Sequence, residues 1–434
     1  MHTSTRFPRL FLALALLHTA AAHAAGFALI EQSASGMGAA FAGAAATAED
    51  ASTVFFNPAG MTYLPERQQV VLAGHAIKPT AEFSNNGSQR SPLAGGLPTF
   101  GNNGGDAGHW ALVPNLYLAQ PLFPGVKLGL GVNVPFGLKT SYAEGWVGRY
   151  QALESDLKSV NINPAIAVKA TDWLSLGLGF SAMWMQADVS NAVDFGGLLR
   201  RPQAVDGQSW LQGESWGWGW NLGALFQITA DTRLGLAYRS QVHQDLQGTA
   251  TFSHVPLALL PRFSDGPAHS QVSLPDSLSA SVVHQLDADW QLLADVTWTN
   301  WSVFQDFTVT RGNGYVLAST PEHWHDTVRA AIGAAYQLNP ALKLRTGLAY
   351  DESPVPGQYR TPRIPDSDRI WLSAGVAYSL TPASRVDFGY THIFIMNASV
   401  NKTTDSSAPV LRDTLRGSYD SAVDILSAQF SHTF

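Results

Sequence analysis

The sequence contains no cysteine among its 434 residues. This absence excludes disulfide frameworks, thiolate zinc sites and cysteine nucleophiles. Charged residues are also scarce, because they make up 14% of the chain, compared with about 25% in an average soluble domain. A surface with so few charges is expected to contact something other than water. No stretch of 18 consecutive apolar residues is present, so the sequence predicts no transmembrane helix.

The composition and motifs also argue against two classes of function, nucleic-acid binding and enzyme activity. The formal net charge is -7, and acidic and basic residues are mixed along the chain, so there is no basic stripe of the kind that binds nucleic acid. The sequence has no His-Glu-x-x-His pair and no phosphate-binding loop. We therefore predict a protein that is not an enzyme, has no nucleic-acid partner and needs no cofactor or metal.

The first residues have the pattern of a secretory signal peptide. Arg6 and Arg9 precede an apolar run from Leu10 to Leu17, and Ala22-His23-Ala24 is an A-x-A cleavage site. This apolar run is much shorter than the ~20 residues that a helix needs to cross a bilayer. We predict that residues 1–24 are a cleaved signal peptide, that the mature chain begins at Ala25 and that the protein is exported to the bacterial cell envelope.

Beyond residue 67 the chain alternates apolar with small or polar residues, and turn signals separate the alternating segments. We count roughly 14 strands, an even number that is typical of single-chain bacterial barrels. They start near Arg67, His109, Val126, Leu157, Trp173, Glu214, Thr232, Ser270, Asp289, Glu322, Ala341, Ser367, Arg385 and Arg416. Because lipid cannot hydrogen-bond an open sheet edge, the predicted fold is a closed, all-β, 14-stranded antiparallel transmembrane β-barrel.

Several strands indicate which face meets the lipid. In residues 126–134 apolar side chains alternate with Lys127, Gly129, Gly131 and Asn133, and residues 174–184 show the same alternation. A soluble β-sandwich would alternate in the same way. The apolar faces, however, end in aromatic residues, which is typical of the interfacial girdles of a membrane barrel. These aromatics are Trp184, Tyr238, Trp298, Trp301, Tyr350 and Trp371.

The segments between strands are of two lengths. Asn339-Pro340 and Thr381-Pro382 predict tight turns, whereas long polar or Gly-rich segments predict loops on the opposite side. These segments are Asn85 to Gly108, Thr140 to Asp156, Asn191 to Gly213 and Gly248 to Ala268. Short periplasmic turns and long extracellular loops are typical of outer-membrane barrels. The terminal Phe434 resembles the signal by which the outer-membrane assembly machinery recognises its clients, so that machinery is an expected partner.

The segment after the signal peptide differs in composition from everything that follows it. Residues 26–61 are rich in Ala, Gly and Ser, contain no Lys or Arg, and end on Asn57-Pro58-Ala59-Gly60. We interpret residues 25–66 as an N-terminal hatch with short helices that plugs the lumen, and residues 67–434 as the barrel around it. Glycines within the hatch permit close packing and movement.

Several motifs resemble those of the FadL-type long-chain fatty acid transporters, and the resemblance spans nearly the whole mature chain. The hatch carries Ala25-Gly26-Phe27, Glu31 to Gly38, Ala48-Glu49-Asp50-Ala51 and Asn57-Pro58-Ala59. Further motifs are Trp146 to Tyr150, Trp298 to Phe304, Asp351 to Pro356 and Ile364 to Gly375. The last two are the most specific matches.

This resemblance implies passive uptake of fatty acids, or in some branches of aromatic hydrocarbons, across the outer membrane. The implied route begins at an apolar groove among the extracellular loops and passes to a pocket in the lumen beside the hatch. It then leaves sideways through a gap in the wall beside a kink in the third strand. The expected partners are therefore a fatty acid or other hydrophobic molecule, outer-membrane lipid and lipopolysaccharide, and we expect a monomer.

The residues allow specific hypotheses for the gap and its gate. Pro135 lacks an N–H for the strand ladder and Gly137 tolerates a bulge, so the third strand should break there. The alternative is that a loop begins at Pro135. The resemblance implies that Asn57-Pro58-Ala59 faces this gap, although Asn-Pro is also a common turn. We predict Asn57, Pro58, Ala59, Pro135 and Gly137 as the gate.

The resemblance also implies substrate-binding residues, and we predict Phe27, Ile30, Phe136 and Arg149 for this role. A fatty acid needs an apolar tunnel and at least one cation near its carboxylate. Arg149, Arg262 and Arg360 are the basic residues considered for that contact, and the sequence does not distinguish among them.

Alternatives remain open at this point. The same architecture would also suit an aromatic hydrocarbon channel, which needs an apolar pocket without a buried Arg or Lys. A barrel-embedded lipid hydrolase would need a Ser, a His and an acidic residue together at the rim. His323-Trp324-His325 would place two imidazoles on one strand face, as in a metal pair, but an aromatic cluster at the rim is the simpler interpretation.

Overall fold

The computed structural model describes residues 26–434, so the predicted signal peptide lies outside the described residues. Between residues 26 and 434, no helix is both long enough and apolar enough to cross a membrane.

The described chain forms 14 barrel strands, of which eight are continuous and six are interrupted once. The continuous strands are β1 (Gln69–Asn85), β2 (Ala111–Phe123), β4 (Glu154–Lys169), β5 (Leu174–Asp194), β6 (Asp206–Gln227), β11 (Leu342–Asp351), β12 (Arg369–Thr381) and β14 (Thr414–Thr433). The interrupted strands are β3 (Val126–Asn133 and Gly137–Ser141), β7 (Thr232–Arg239 and Val242–Ser253), β8 (Gly266–Leu274 and Ser277–Gln285), β9 (Trp290–Thr299 and Asp306–Arg311), β10 (Val316–Pro321 and Thr327–Asn339) and β13 (Ser384–Ile395 and Ala398–Thr403).

The sheet closes on itself. Each strand pairs antiparallel with the next one in the chain, and β1 pairs with β14 from Gln69 opposite Thr433 to Asn85 opposite Gly417. Closure removes the unpaired edges that a bilayer could not hydrogen-bond. The structure therefore confirms the predicted 14-stranded antiparallel barrel.

The predicted alternation of faces is confirmed by burial. In β5 the side chains of Leu176, Leu178 and Phe180 are about half exposed on the outside of the barrel, whereas Ser175 and Ser181 are buried inside it. The same inside-outside period holds in the other strands that the sequence singled out. The outer face is apolar, as a lipid-facing surface must be.

Two of the predicted girdle aromatics are not at the lipid surface. Trp301 and Trp371 are buried, at 1% and 2% exposure. Trp301 lies in a short 3₁₀ turn (Trp301–Val303) within the interruption of β9, where the period of two no longer holds. Trp371 occupies an inward position of β12. Both face the lumen, and the prediction was wrong for these two residues.

The connections differ between the two ends of the barrel, as predicted. β10 and β11 are joined by Pro340 and Ala341 alone, and β12 and β13 by Pro382 and Ala383. At the other end, residues 86–110 join β1 to β2. Two predicted loops are shorter than expected, because β5, β6, β7 and β8 extend well beyond the apolar band. The loops that remain there are residues 195–205 and 254–265.

Residues 26–66 form short helices inside the barrel. These are α1 (Ala34–Met37), α2 (Ala44–Thr47), α3 (Thr53–Phe56) and a 3₁₀ helix (Pro58–Tyr63). Outside this segment, the loops carry α4 (Phe195–Leu198) and 3₁₀ turns at Pro92–Ala94, Leu257–Leu259 and Pro409–Leu411. We continue to use the name hatch for residues 26–66.

Inward-facing glycines allow the hatch to approach the barrel wall closely. A β-carbon at Gly347 of β11 would overlap the carbonyl carbon of Ala39, and one at Gly375 of β12 would lie 2.6 Å from Cα of Gly38. Ala39 and Gly38 follow α1 directly. The backbone of the hatch therefore rests on the backbone of the wall, with no side chain between them.

Ion pairs hold the middle of the hatch to β11 and β13. The carboxylate of Glu49 binds Lys343 at 2.8 Å, Arg345 at 2.9 Å and Arg385 at 3.2 Å. Asp50 binds Arg385 at 2.9 Å. Burial alone would raise the pKa of Glu49, but the charges of Arg345, Lys343 and Arg385 outweigh it and hold that pKa well below its usual range.

A first prediction concerns the close contact between the hatch and the wall. Gly347→Val should destabilise the folded protein by about 1–3 kcal/mol, because the added side chain must displace the hatch backbone. The matched control is Gly74→Val on β1, where a β-carbon has no atom within 4 Å. Urea-induced unfolding in detergent micelles measures the difference, and equal unfolding midpoints for the two variants would contradict the predicted overlap.

A second prediction follows from the ion pairs of Glu49. Because its pKa is lowered in the folded protein, the stabilisation is present above the ordinary value of 4.5 and is lost as the pH falls below it. Glu49→Gln should therefore lower the unfolding free energy at pH 7 by about 3 kcal/mol, and this difference should shrink below pH 4. Asp172→Asn, in an exposed turn where solvent screens the ion pair with Lys169, is the control and should show a much smaller dependence on pH.

Candidate functional site

The third strand is interrupted where Pro135 predicts it. β3 stops at Asn133 and resumes at Gly137, which pairs with Lys158 of β4. The alternative, a loop that begins at Pro135, does not occur. The N-terminal segment of the hatch supplies the missing pairing, since Leu29 N donates to Pro135 O at 2.8 Å and Gly137 N donates to Phe27 O at 3.0 Å.

The interruption opens a gap between β2 and β3. The two strands pair regularly up to Leu116 opposite Val132. The next bridge on this side joins Thr140 of β3 to Gly108, which precedes β2. Among the described pairings, none connects residues 109–115 with residues 133–139, although β2 stays paired with β1 and β3 stays paired with β4 on their other sides. We call this gap the lateral window.

A cavity of about 770 Å³ lies between the hatch and the wall. Both edges of the lateral window line it, through His109 to Val113 at the start of β2 and Val134 to Thr140 at the interruption of β3. The hatch contributes Gly26 to Glu31 together with Phe55 and Phe56. Cavities of about 300–1,000 Å³ with a mainly apolar lining are typical of small-molecule sites. The cavity therefore joins the hatch to the window.

Phe27 lies in a cluster of aromatic rings beside the cavity. Its ring centroid is 4.9 Å from that of Trp301, 5.7 Å from those of Phe304 and Trp324, and 5.9 Å from that of Phe136. The contacts with Trp301 and Phe304 are edge-to-face, a geometry that stabilises each pair by about 0.5–1.5 kcal/mol. The structure thus brings together Phe27 and Phe136, two of the predicted substrate-binding residues, and Ile30 also lines the cavity.

Asn57, Pro58 and Ala59 lie at a different part of the wall from Pro135. The amide of Asn57 donates to Ala224 O at 3.1 Å on β6 and to Leu236 O at 3.3 Å on β7. Its Oδ1 accepts from Ala59 N at 3.1 Å, which begins the 3₁₀ helix. The segment therefore contacts the wall at β6 and β7, whereas the window is bounded by β2 and β3.

Arg149 does not line the cavity. Its guanidinium donates to Asp206 at 2.8 Å, to Phe100 O at 2.7 Å and to the hydroxyl of Tyr150 at 2.8 Å. These bonds join three extracellular segments and use the donors that a carboxylate would need. Arg149 thus has the contacts of a residue that orders the extracellular loops, and it lies outside the cavity lined by Phe27, Ile30 and Phe136.

The other two basic residues considered from the sequence are also outside the cavity. Arg262 is exposed over the ring of Phe263. Arg360 is buried and donates to Asp366 O and Ser399 O. Neither side chain is free to face a ligand in the lumen.

Five basic residues that the sequence reasoning missed do line the cavity, namely Lys139, Lys158, Arg239, Arg329 and Arg369. Lys139 and Lys158 both pair with Asp156, and Arg369 pairs with Asp366. The signal that could have found Arg239 and Arg329 is their inward position in alternating strands, since Leu236, three positions before Arg239, and Val328, next to Arg329, face outward.

Arg329 and Glu31 both line the cavity, and each has side-chain atoms without a hydrogen-bond partner. Arg329 donates to Ala40 O at 2.7 Å and lies over the ring of Trp371, while its Nε and Nη1 have no hydrogen-bond partner. Burial raises the pKa of Glu31 to about 7, and Oε2 of Glu31 has no partner. Arg329 also acts electrostatically on the carboxyls of Asp295 and Asp351.

Two motifs with catalytic associations have structural roles here. Gly213 to Gly217 has the Gly-x-Ser-x-Gly spacing of a hydrolase elbow, but it lies within the continuous strand β6, and Ser215 donates to Gln244. Trp324 belongs to the aromatic cluster of Phe27, and the ring of His323 packs on that of Tyr359. Within residues 26–434 no group of three or more His, Cys, Asp or Glu is placed to hold a metal ion.

Comparison with known sequences identifies relatives over nearly the full length. A family model described as outer membrane protein transport protein (OMPP1/FadL/TodX) matches residues 15–434. The long-chain fatty acid transport protein of Escherichia coli K12 is 31% identical over 437 residues, which cover 93% of this chain and 95% of that protein. Outer membrane protein P1 of Haemophilus influenzae is 31% identical, with 89% of this chain and 90% of that protein covered.

Solved structures with the same fold are also known. A FadL homologue of Pseudomonas aeruginosa matches with a TM-score of 0.89 and 23% identity, covering 94% of this chain and 100% of that chain. The toluene transporter TodX of Pseudomonas putida matches with a TM-score of 0.68 and 19% identity, covering 95% of this chain and 100% of that chain. At these identities the similarity establishes the fold alone.

Proposed function

The chain belongs to the outer membrane protein transport family that includes OMPP1, FadL and TodX, and from this membership we propose that it takes up long-chain fatty acids. The family consists of outer-membrane transporters and not of enzymes. The protein is therefore an outer-membrane transporter of hydrophobic molecules. Beyond this family membership, we propose the substrate, a long-chain fatty acid, and its route through the cavity and the lateral window.

The observation that carries the proposal is the continuity of the cavity with the lateral window. A hydrophobic molecule that occupies the cavity contacts the hatch on one side and both edges of the window on the other. No aqueous step is then needed between the binding site and the lipid. Phe27, Ile30 and Phe136 contribute apolar surface to the substrate, and Pro135 and Gly137 shape the opening.

The level of the window supports release into the membrane. On β4 the outward side chains of Val160, Ile162 and Ile166 are exposed and apolar, and the charged Lys158 follows at the extracellular end. The window begins opposite Val132, which pairs with Ile162, and it extends past Gly137, which pairs with Lys158. It therefore opens at the upper part of the apolar band, where the outer leaflet lies.

Capture from outside is assigned to the extracellular loops. Several large apolar side chains are exposed there, namely Leu93, Leu97, Phe100, Leu257 and Leu260. Exposed apolar surface in loops of a membrane transporter suits a first contact with a hydrophobic molecule. In this proposal binding energy and movement of the hatch drive uptake, with Asn57, Pro58 and Ala59 as the part of the gate that is bound to β6 and β7.

Aromatic hydrocarbons are the second candidate substrates, because toluene transporters share the fold. An uncharged hydrocarbon cannot pair with Arg239 and Arg329, the two cations of the cavity that have no ion pair among the described residues. Buried charges are costly to maintain in an apolar site unless a partner is bound to them. The lining therefore favours an amphiphile with an acidic head over toluene.

Uptake by cells tests the substrate directly. Cells that lack their own fatty acid transporter should accumulate radiolabelled oleate when they express this protein, at a rate above that of the empty vector. Radiolabelled toluene, measured in parallel, distinguishes the second candidate. Accumulation of oleate at the vector rate would contradict the fatty acid proposal.

Blocking the window tests the route, and the lack of native cysteine makes labelling specific. Leu112 is 75% exposed at the window edge. Purified Leu112→Cys, labelled with a bulky maleimide and reconstituted into vesicles, should transfer bound oleate to the lipid at least about tenfold more slowly than the unlabelled variant, since the label fills the opening.

The matched control for this experiment is Leu72→Cys on β1. Leu72 faces the lipid at 52% exposure and does not line the cavity. Its label should leave transfer unchanged. Equal transfer by labelled Leu112→Cys and labelled Leu72→Cys would rule out release through the window.

A further inference from the structure

One cation of the cavity differs from the others in its surroundings. Lys139, Lys158 and Arg369 are ion-paired with Asp156 or Asp366. Arg329 lies among the carboxyls of Glu31, Asp295 and Asp351. Among residues 26–434 no carboxylate pairs with Arg239, whose guanidinium donates to Phe55 O at 2.8 Å and to Oγ of Ser181 at 3.5 Å.

Arg239 is positioned by both the wall and the hatch. It ends the first segment of β7, and its guanidinium lies 4.2 Å from the ring centroid of Phe55 in α3. Phe55, Phe56 and Arg239 all line the cavity, and we call the part at the contact between Arg239 and Phe55 its α3 end. A half-buried guanidinium with only neutral partners retains an uncompensated charge, and an anion that enters the cavity would compensate it.

An unpartnered amide lies beside this guanidinium. Asn221 of β6 stands directly opposite Arg239 in the strand register, so the two side chains emerge on the same face at neighbouring positions. Asn221 is 2% exposed and lines the cavity. Its Oδ1 accepts from Asn163 at 3.0 Å, whereas its Nδ2 has no hydrogen-bond partner.

We infer that Arg239 and Asn221 form a carboxylate subsite, which binds the head group of the fatty acid at the α3 end of the cavity. This inference rests on the proposed function. The guanidinium supplies the charge and the Nδ2 amide supplies a second donor, a combination that suits the two oxygens of a carboxylate. An alcohol or a hydrocarbon of the same length cannot use the charge.

The subsite also sets the orientation of the substrate. With the carboxylate at Arg239, the hydrocarbon chain occupies the rest of the cavity, including the edges of the window. The chain can then enter the lipid first, and the charged head leaves last. The carboxylate also competes with Phe55 O for the guanidinium, which links head-group binding to α3 and, through Asn57, to the contacts of the hatch with β6 and β7.

Binding of two ligands that differ only in the head group tests the subsite. The dissociation constants of oleate and oleyl alcohol are measured on the purified full chain in detergent at pH 8. Arg239→Gln should weaken oleate binding about 10- to 100-fold, the range for a charge-assisted contact. The same substitution should change oleyl alcohol binding less than about threefold, because only the charged contact is lost.

Two further variants separate the role of charge from a structural role. Arg239→Lys should recover part of the oleate affinity, and Asn221→Asp should weaken oleate and spare the alcohol, since it adds a negative charge. Arg262→Gln in an exposed loop is the control and should change neither. Retention of the heat-modifiable band on gel electrophoresis shows that each variant is folded.

The outcomes distinguish this inference from the proposed function. Selective loss of oleate binding by Arg239→Gln supports the subsite. Equal loss of both ligands, or unchanged oleate binding, overturns it. If the unmodified protein binds neither ligand, the proposed function itself fails. Hydrogen exchange is a second measurement. Oleate should speed exchange in residues 53–57 of the unmodified protein but not in those of Arg239→Gln. An equal effect of oleate on both proteins would overturn the subsite.

Discussion

The lateral window depends on two backbone hydrogen bonds at the edge of β3 that has lost its pairing with β2. A strand that leaves its neighbour inside a membrane exposes N–H and C=O groups that lipid cannot satisfy. Here Leu29 N and Phe27 O bind Pro135 O and Gly137 N, so the N-terminal segment replaces β2 as the pairing partner. The backbone groups of Pro135 O and Gly137 N are therefore satisfied at this edge. The stability of the window depends on the N-terminal segment of the hatch that supplies their partners.

The two halves of the hatch are held by different forces. Its beginning is held by those backbone hydrogen bonds and by the aromatic contacts of Phe27. A hydrophobic ligand can replace the aromatic contacts with contacts of its own. Its middle and end are held by the ion pairs of Glu49 and by Lys127, which binds Pro65 O at 2.9 Å. A ligand without charge cannot compete for these ion pairs or for the hydrogen bond of Lys127. Movement on binding is therefore expected at the start of the hatch and at α3, where Arg239 meets the ligand.

Much of the architecture was predictable because it follows from local rules. The period of two in the strands distinguishes the lumen from the lipid, and Pro135 and Gly137 mark the break in β3 without any knowledge of the neighbours. Two of the errors occur where that period is lost, whereas Trp371 was assigned to the wrong face of a regular strand. Trp301 lies in a 3₁₀ turn within β9, and Arg149 lies in a loop, so no alternation indicates where either side chain points.

The sequence by itself determined the strand number, the faces of the barrel, the compositionally distinct hatch and the site of the kink, because each depends on neighbouring residues in the chain. Only the tertiary structure decided which cation faces the cavity. Arg239 meets Asn221 through strand register and Phe55 through docking of the hatch, and only the fold places Arg329 near the carboxyls of Asp295 and Asp351. Whether a charge is paired is a property of three-dimensional neighbours, and the order of residues does not contain it.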